Sequence, residues 1–413
     1  MSPASRRQVL TAAAAGVGGA AASVGLVACT AGSASGGASA GSSASAGSSA
    51  QASGALNGKV TVPFHGAHQA GISTPGPAHV TLLGLDLRSG VDKSAAKRMM
   101  LVLSDDAARL TQGKEALGDT EPEIAASPAR LTVTFGFGPT FFDKLGLTAQ
   151  RPASVTPLPA FPKDALQEKW SGGDLILQIG CDDPTVLWHT IRMLTKDARE
   201  FAEVKWIQRG FGSANGTAAP GTTGRNVFGQ VDGTFQPKEG AEFDTAVWAS
   251  GPGWFKGGTV MVVRRITMDV DKWDAFDPTG KELVMGRRLA DGAPLTGKVE
   301  ADRPDLDAVD ANGFHVIDDT AHVRLAKATV PAELMRRRGY NFDDGPTPDG
   351  KSNAGLIFVA FMADAAATFV PVQRRLAEKD ALNKWITHIG SAVFAVPPGA
   401  AEGEYVGQHL IEG

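Results

Sequence analysis

Cysteine is almost absent from this sequence, with 2 in 413 residues, Cys29 and Cys181. A disulfide framework is therefore excluded, and stability must come from a buried apolar core. Positive charge is not in excess either. The formal net charge is −4, and because Arg6 and Arg7 are the only charged residues before Gly58, the rest of the chain carries −6. A nonspecific nucleic-acid binder needs a basic face, which this balance does not supply. Long apolar runs are missing too. The stretch from Leu10 to Ala28 is broken by glycine and too weakly apolar for a comfortable permanent membrane span.

What the first residues do contain is an address. Ser5-Arg6-Arg7-Gln8-Val9-Leu10, followed by an Ala/Gly run, reads as a twin-arginine export signal. Proteins taking that route fold before crossing the membrane, often around a cofactor inserted in the cytoplasm. Leu26-Val27-Ala28-Cys29 matches a lipobox, in which Cys29 would be lipidated and become the new N-terminus. Residues 1–29 are thus expected to be signal. Residues 30–57, nearly all Gly, Ala and Ser, form a tether that cannot bury a core. The expected location is extracytoplasmic, lipid-anchored to the outer face of the cytoplasmic membrane or else periplasmic or secreted.

The remaining residues are enough for one large domain or two packed halves. Ala78 to Leu87 reads as a buried strand and Lys93 to Leu103 as the helix after it. Gly258 to Val270 has the same character, with Lys272-Trp273-Asp274 opening the next helix. Arg130 to Phe137 and Gly355 to Phe361 supply a further strand to each half, followed by helical segments at 138–145 and 363–376. Leu175 to Ile179 leads into Asp182-Asp183-Pro184, a strand-to-helix junction, since acidic residues and proline suit a first helical turn. This repetition predicts an α+β fold of two ferredoxin-like halves, 58–235 and 236–413. The segment from Asn226 to Phe235 falls between them, where ligand clefts form.

Asn226-Val227-Phe228-Gly229-Gln230-Val231-Asp232-Gly233-Thr234 contains a Gly-x-x-Asp-Gly string that resembles the signature of dye-decolorising peroxidases. Four more blocks occur in the family's order. They are Phe64 to Ile72 (FHGAHQAGI), Trp254 to Thr259 (WFKGGT), Gly286-Arg287-Arg288 with Asp291 to Leu295, and Ala321-His322-Val323-Arg324-Leu325. Together with the export signal they resemble the twin-arginine-exported subgroup that includes the iron-uptake-associated deferrochelatases. The resemblance covers roughly residues 58–413. It implies a dimeric α+β barrel-type fold binding heme b, and a peroxidase that reduces hydrogen peroxide through an oxoferryl intermediate. Dyes, phenols or ferrous iron would be the donors, and a homo-oligomer is expected.

The same resemblance assigns residues. His322 matches the proximal iron ligand, whose second ring nitrogen wants a hydrogen-bond acceptor. Asp318 and Asp319 are the nearby possibilities, and His315 is the nearest competitor for the iron. Asp232 matches the distal acid/base, with Gly229 and Gly233 letting backbone approach the porphyrin. Gln230 departs from the aromatic residue common there. A distal arginine would stabilise developing negative charge. Arg336, Arg337 and Arg338 all stand in the right place, and alignment on the following glycine favours Arg337. Leu356 and Phe358, alternating on one strand, match apolar residues over the distal face.

His65 and His68 have a spacing seen in metal sites but lack a companion ligand set. The paired arginines at 264–265, 287–288 and 374–375 suit ion pairs or propionate contacts. Besides the peroxidase, two alternatives stand: an iron-uptake partner that releases iron from heme, and a heme carrier without turnover. A carrier has no need of the Asp232 proton shuttle.

Overall fold

The computed structural model describes residues 57–219 and 221–413. The signal and all but the last residue of the tether lie outside the described residues. Among the described residues there are nine strands: β1 His79–Leu87, β2 Thr132–Phe137, β3 Leu175–Cys181, β4 Ala202–Phe211, β5 Thr259–Met268, β6 Arg336–Arg337, β7 Tyr340–Pro346, β8 Ser352–Met362 and β9 Ile386–Val396. They form one sheet in the order β5-β9-β2-β3-β1-β4-β7-β8-β6. Because β5 also pairs with β8, the sheet closes on itself.

Each half is built on a strand–helix–strand–strand–helix–strand unit with its strands in equivalent order, β2-β3-β1-β4 and β7-β8-β5-β9, and the C-terminal half adds the two-residue β6 beside β8. This is the ferredoxin-like arrangement, used twice. The halves join through two sparse antiparallel contacts, Phe137 with Ala395 and Phe211 with Asn341. Side chains facing inward from both halves, among them Leu82, Ile176, Val263, Phe342, Phe361 and Phe394, make a common interior. Helices cover the outer faces, as the sequence pattern requires for strands apolar on both sides.

Local chemistry places the helices. Asp92 accepts from the Ala95 amide at 2.7 Å and caps the helix Lys93–Thr111, which continues well past Leu103. Asp183 caps Pro184–Ala198, with proline in the first turn where its missing N–H costs nothing. Two expected helices differ. Asp269 caps Val270–Asp274, so Lys272-Trp273-Asp274 close that helix instead of opening it. The later helix spans Phe369–Lys379, because the Asp364 carboxylate accepts from the amides of Ala366 and Ala367 and holds the preceding residues in a turn.

Candidate active site

The site gathers on the outer face of the C-terminal half. On β8, Ile357 and Val359 are fully buried, while Leu356 and Phe358, on the opposite face, are only half-buried. That partial exposure leaves apolar surface open on this face of the sheet. Phe358 also meets Phe369 at 5.9 Å between ring centroids.

His322 begins the short helix His322–Ala326. Gly286 ends the preceding helix in the left-handed conformation, φ 75°, and a Cβ there would stand 2.5 Å from Val323. Only glycine lets the two segments approach so closely. The His322 Nδ1 lies 2.6 Å from Asp380 Oδ2, and the other Asp380 oxygen accepts from the Leu382 amide at 2.9 Å. Nδ1 therefore carries the proton and donates, which leaves Nε2 as the free lone pair. Burial opposes protonation of this ring, but the Asp380 carboxylate outweighs it and holds the pKa above its ordinary value. The acceptor is thus neither of the nearby aspartates. Asp318 takes up Thr320, and Asp319 pairs with His315 at 2.8 Å, which occupies that competing histidine.

Asp232 stands in a tightly braced loop. Asn226 Oδ1 accepts from the Phe228 and Gln230 amides at 3.0 and 3.2 Å, and Asn226 Nδ2 lies 3.3 Å from Asp232 Oδ2. Arg225 ties the loop outward, donating to the carbonyls of Gly229, Leu289 and Ala290. Gly229 and Gly233 have φ of 77° and 124°, so their first requirement is backbone conformation. A Cβ at Gly229 would meet nothing within 4 Å, which leaves room beside the loop. Gln230 is buried, with its Nε2 unpartnered among the described residues.

The three arginines separate by strand alternation. Arg337 Nη1 lies 3.6 Å from Asp232 Oδ1, and its Nη2 donates to the Phe235 carbonyl at 2.9 Å. Arg338, almost wholly buried, donates to Tyr340 Oη and to the carbonyls of Ile72, Thr74 and Pro75, so it fastens the N-terminal segment. Arg336 pairs across β8 with Phe361, toward the interior. Asp232 and Arg337 are both near enough to act electrostatically on His322.

One further residue converges here. Arg287 donates through Nη1 to the carbonyls of Gly292 and Glu300 at 2.5 and 3.0 Å, while its buried Nη2 has no partner among the described residues. Its guanidinium sits 5.4 Å from the Phe235 ring centroid. Burial, and then the neighbouring Arg337, lower its pKa despite Glu300. A buried cation donor beside a second cation calls for an anion.

These features fit heme b. A free imidazole nitrogen suits the iron, the half-buried Leu356 and Phe358 suit an apolar ring, and the orphaned Arg287 donor suits a propionate. His65 and His68 stay apart from this site: His68 stacks on Trp248 at 3.7 Å, with its Nδ1 2.8 Å from the Gly257 carbonyl.

Comparison with known proteins agrees. Residues 69–212 match the N-terminal region of Dyp-type peroxidases and residues 223–401 the C-terminal region. A dye-decolorizing peroxidase of Thermobifida fusca is 40% identical over 363 residues, covering 84% of each chain. A deferrochelatase of Yersinia pestis is 35% identical over 373 residues, covering 85% of each. Among solved structures, a DyP-type peroxidase from Cellulomonas bogoriensis superposes with a TM-score of 0.84 at 48% identity, over 87% of this chain and 100% of that one. Ferric DtpA from Streptomyces lividans gives 0.84 at 43% identity, over 86% and 98%.

Proposed function

The chain belongs to the Dyp-type peroxidase family and is a heme-dependent peroxidase, and from that premise we propose how its own residues divide the work. Heme b supplies the redox chemistry, taking oxidising equivalents from hydrogen peroxide and returning them to a donor. His322 Nε2 would hold the heme iron, and Asp380 keeps the ring in the tautomer that leaves that nitrogen free. Asp232 accepts a proton from one peroxide oxygen and delivers it to the other, so that the departing oxygen leaves as water. Arg337 offers its guanidinium to the negative charge that develops as the O–O bond breaks. Leu356 and Phe358 would keep the heme's reacting side dry, and Arg287 would hold a propionate.

The observation that carries this reading is that a hydrogen-bonded His322–Asp380 pair lies within electrostatic reach of an Asp232–Arg337 pair. Asp232→Asn is expected to retain heme and to react with peroxide at least a hundredfold more slowly. An unchanged rate would remove Asp232 from this role. Simple carriage, or iron release without turnover, is disfavoured because neither needs a proton-shuttling carboxylate beside a cation.

We infer further that residues 1–29 direct twin-arginine export and that Cys29 is lipidated, with 30–57 as the tether. The support lies in the sequence motifs alone. Cys29→Ser should move the protein from the membrane fraction to the periplasm or medium, and an unchanged location would refute the anchor. Dyes, phenols and ferrous iron are the proposed donor classes. An iron-transport partner is the reading favoured if ferrous ion proves the fastest reductant after peroxide.

A further inference from the structure

We propose that Gln236 is a positioning residue that sets where Arg337 stands relative to Asp232; the inference rests on the roles given to those two residues above. β6 is only Arg336–Arg337 and lies at the end of the sheet order. Its inner edge pairs with β8, Arg337 opposite Ala360, and Arg338 continues that ladder by donating to the Val359 carbonyl at 2.7 Å. On the outer edge, where no strand pairs among the described residues, the amide and carbonyl of Arg337 both meet one side chain. Gln236 Oε1 accepts from the Arg337 amide at 3.0 Å, and Gln236 Nε2 donates to the Arg337 carbonyl at 3.2 Å. A single amide thus supplies the pair of bonds a neighbouring strand would supply.

The same Nε2 also donates to the Gly233 carbonyl at 3.1 Å, one residue beyond Asp232. One group therefore ties the backbone carrying the proposed acid/base to the backbone carrying the proposed cation. The direct contact between their side chains cannot do this. At 3.6 Å and half-exposed on both sides, the Asp232–Arg337 pair is weak and geometrically loose. Catalytic groups must be held to within about 0.5 Å, and the hold comes from hydrogen bonds of supporting residues.

An amide is required, because the site needs an acceptor and a donor at fixed spacing. A carboxylate at 236 would accept from the Arg337 amide but would turn its second oxygen toward two carbonyls. A protonated carboxyl would restore the donor. Gln236→Glu is therefore an acid-rescued mimic, whereas Gln236→Ala is not rescued at any pH.

The test uses both variants beside Arg337→Ala. In the heme-free protein, amide hydrogen exchange is read residue by residue. Gln236→Ala should raise exchange at Arg337 by at least tenfold while β5 and the rest of β8 keep their protection. In the heme-loaded protein, the reaction with peroxide should slow about 10- to 100-fold without change in the KM for the donor. Gln236→Glu should recover toward the wild-type rate as pH falls, relative to the wild-type profile measured alongside. Unchanged exchange at Arg337, or a peroxide rate within twofold of wild type while Arg337→Ala is slow, overturns the inference and leaves the roles of Asp232 and Arg337 standing. Arg337→Ala reacting at the wild-type rate overturns those roles and the inference with them. If Gln236→Ala does not fold, the pH profile of Gln236→Glu decides alone, and the absence of acid rescue sinks the proposal.

Discussion

Replacing Asp380 by Asn tests the proximal side most sharply. Asp380 is nearly buried, and its two oxygens serve two donors, His322 Nδ1–H and the Leu382 amide. Asparagine has one oxygen and one NH2, so it can satisfy only one of them. If the oxygen turns to Leu382, the NH2 faces Nδ1, and the ring must move its proton to Nε2, which blocks ligation. If the oxygen turns to His322, the Leu382 amide loses its partner. Either way a charge-assisted bond is lost, worth about 2 kcal/mol. Urea denaturation of the heme-free variant should show a loss of that order. Heme affinity, read from Soret titration, should fall about 10- to 100-fold. The iron midpoint potential should rise, because a neutral acceptor pushes less electron density through the imidazole onto ferric iron. A variant with wild-type affinity and an unmoved potential would show that Asp380 neither orients nor polarises His322.

Three other outcomes follow from single residues. Arg287→Met should weaken heme binding about tenfold in reconstitution, since the charge-assisted partner of a propionate is lost; equal affinity would mean that Arg287 meets no anion. The His388 pKa is pushed down from 6.5 to about 3, by burial first and Arg264 second. The unfolded chain therefore binds more protons between these values, and this group's contribution to stability is complete above about 6.5 and is lost as pH falls toward 3. By pH 4 the loss amounts to about 3 kcal/mol, so His388→Gln should flatten the acid limb of the urea stability–pH profile, and parallel profiles would refute the assignment. Burial lifts the Cys181 thiol to about 12, so in a Cys29→Ser background thiol reagents should label the protein only on unfolding; rapid native labelling would contradict this.

The sequence legibility of this fold was uneven for identifiable reasons. Strands β1, β2, β3, β5 and β8 are apolar on both faces, so each reads as a continuous run bounded by polar residues. β9 escaped because His388, Gly390 and Ser391 interrupt Ile386–Val396, although its later residues are buried. β4 escaped because its faces differ, with Glu203, Lys205 and Arg209 interleaved. The helix expected from Ala363 has helical composition, yet the Asp364 side chain competes for the backbone amides ahead and delays it. These are failures of local pattern against local hydrogen bonding.

The site failed differently. His322 and Asp232 stand in recognisable strings, but Asp380 lies 58 positions from the histidine it serves, and nothing in its Lys-Asp-Ala-Leu surroundings distinguishes it. It looks like an N-cap, and it is one: the Leu382 bond caps the short helix Ala381–Lys384. The same carboxylate therefore performs a routine local task with one oxygen and a functional one with the other. Gln236 has the same double character, since it completes a two-residue strand and in doing so fixes Arg337. In both cases the chemistry borrows a backbone-satisfying side chain that folding already requires, and a sequence pattern can display the folding task without revealing the second. Where a polar side chain serves a helix end or strand edge beside a cleft, its remaining hydrogen-bond capacity is therefore the place to look for function.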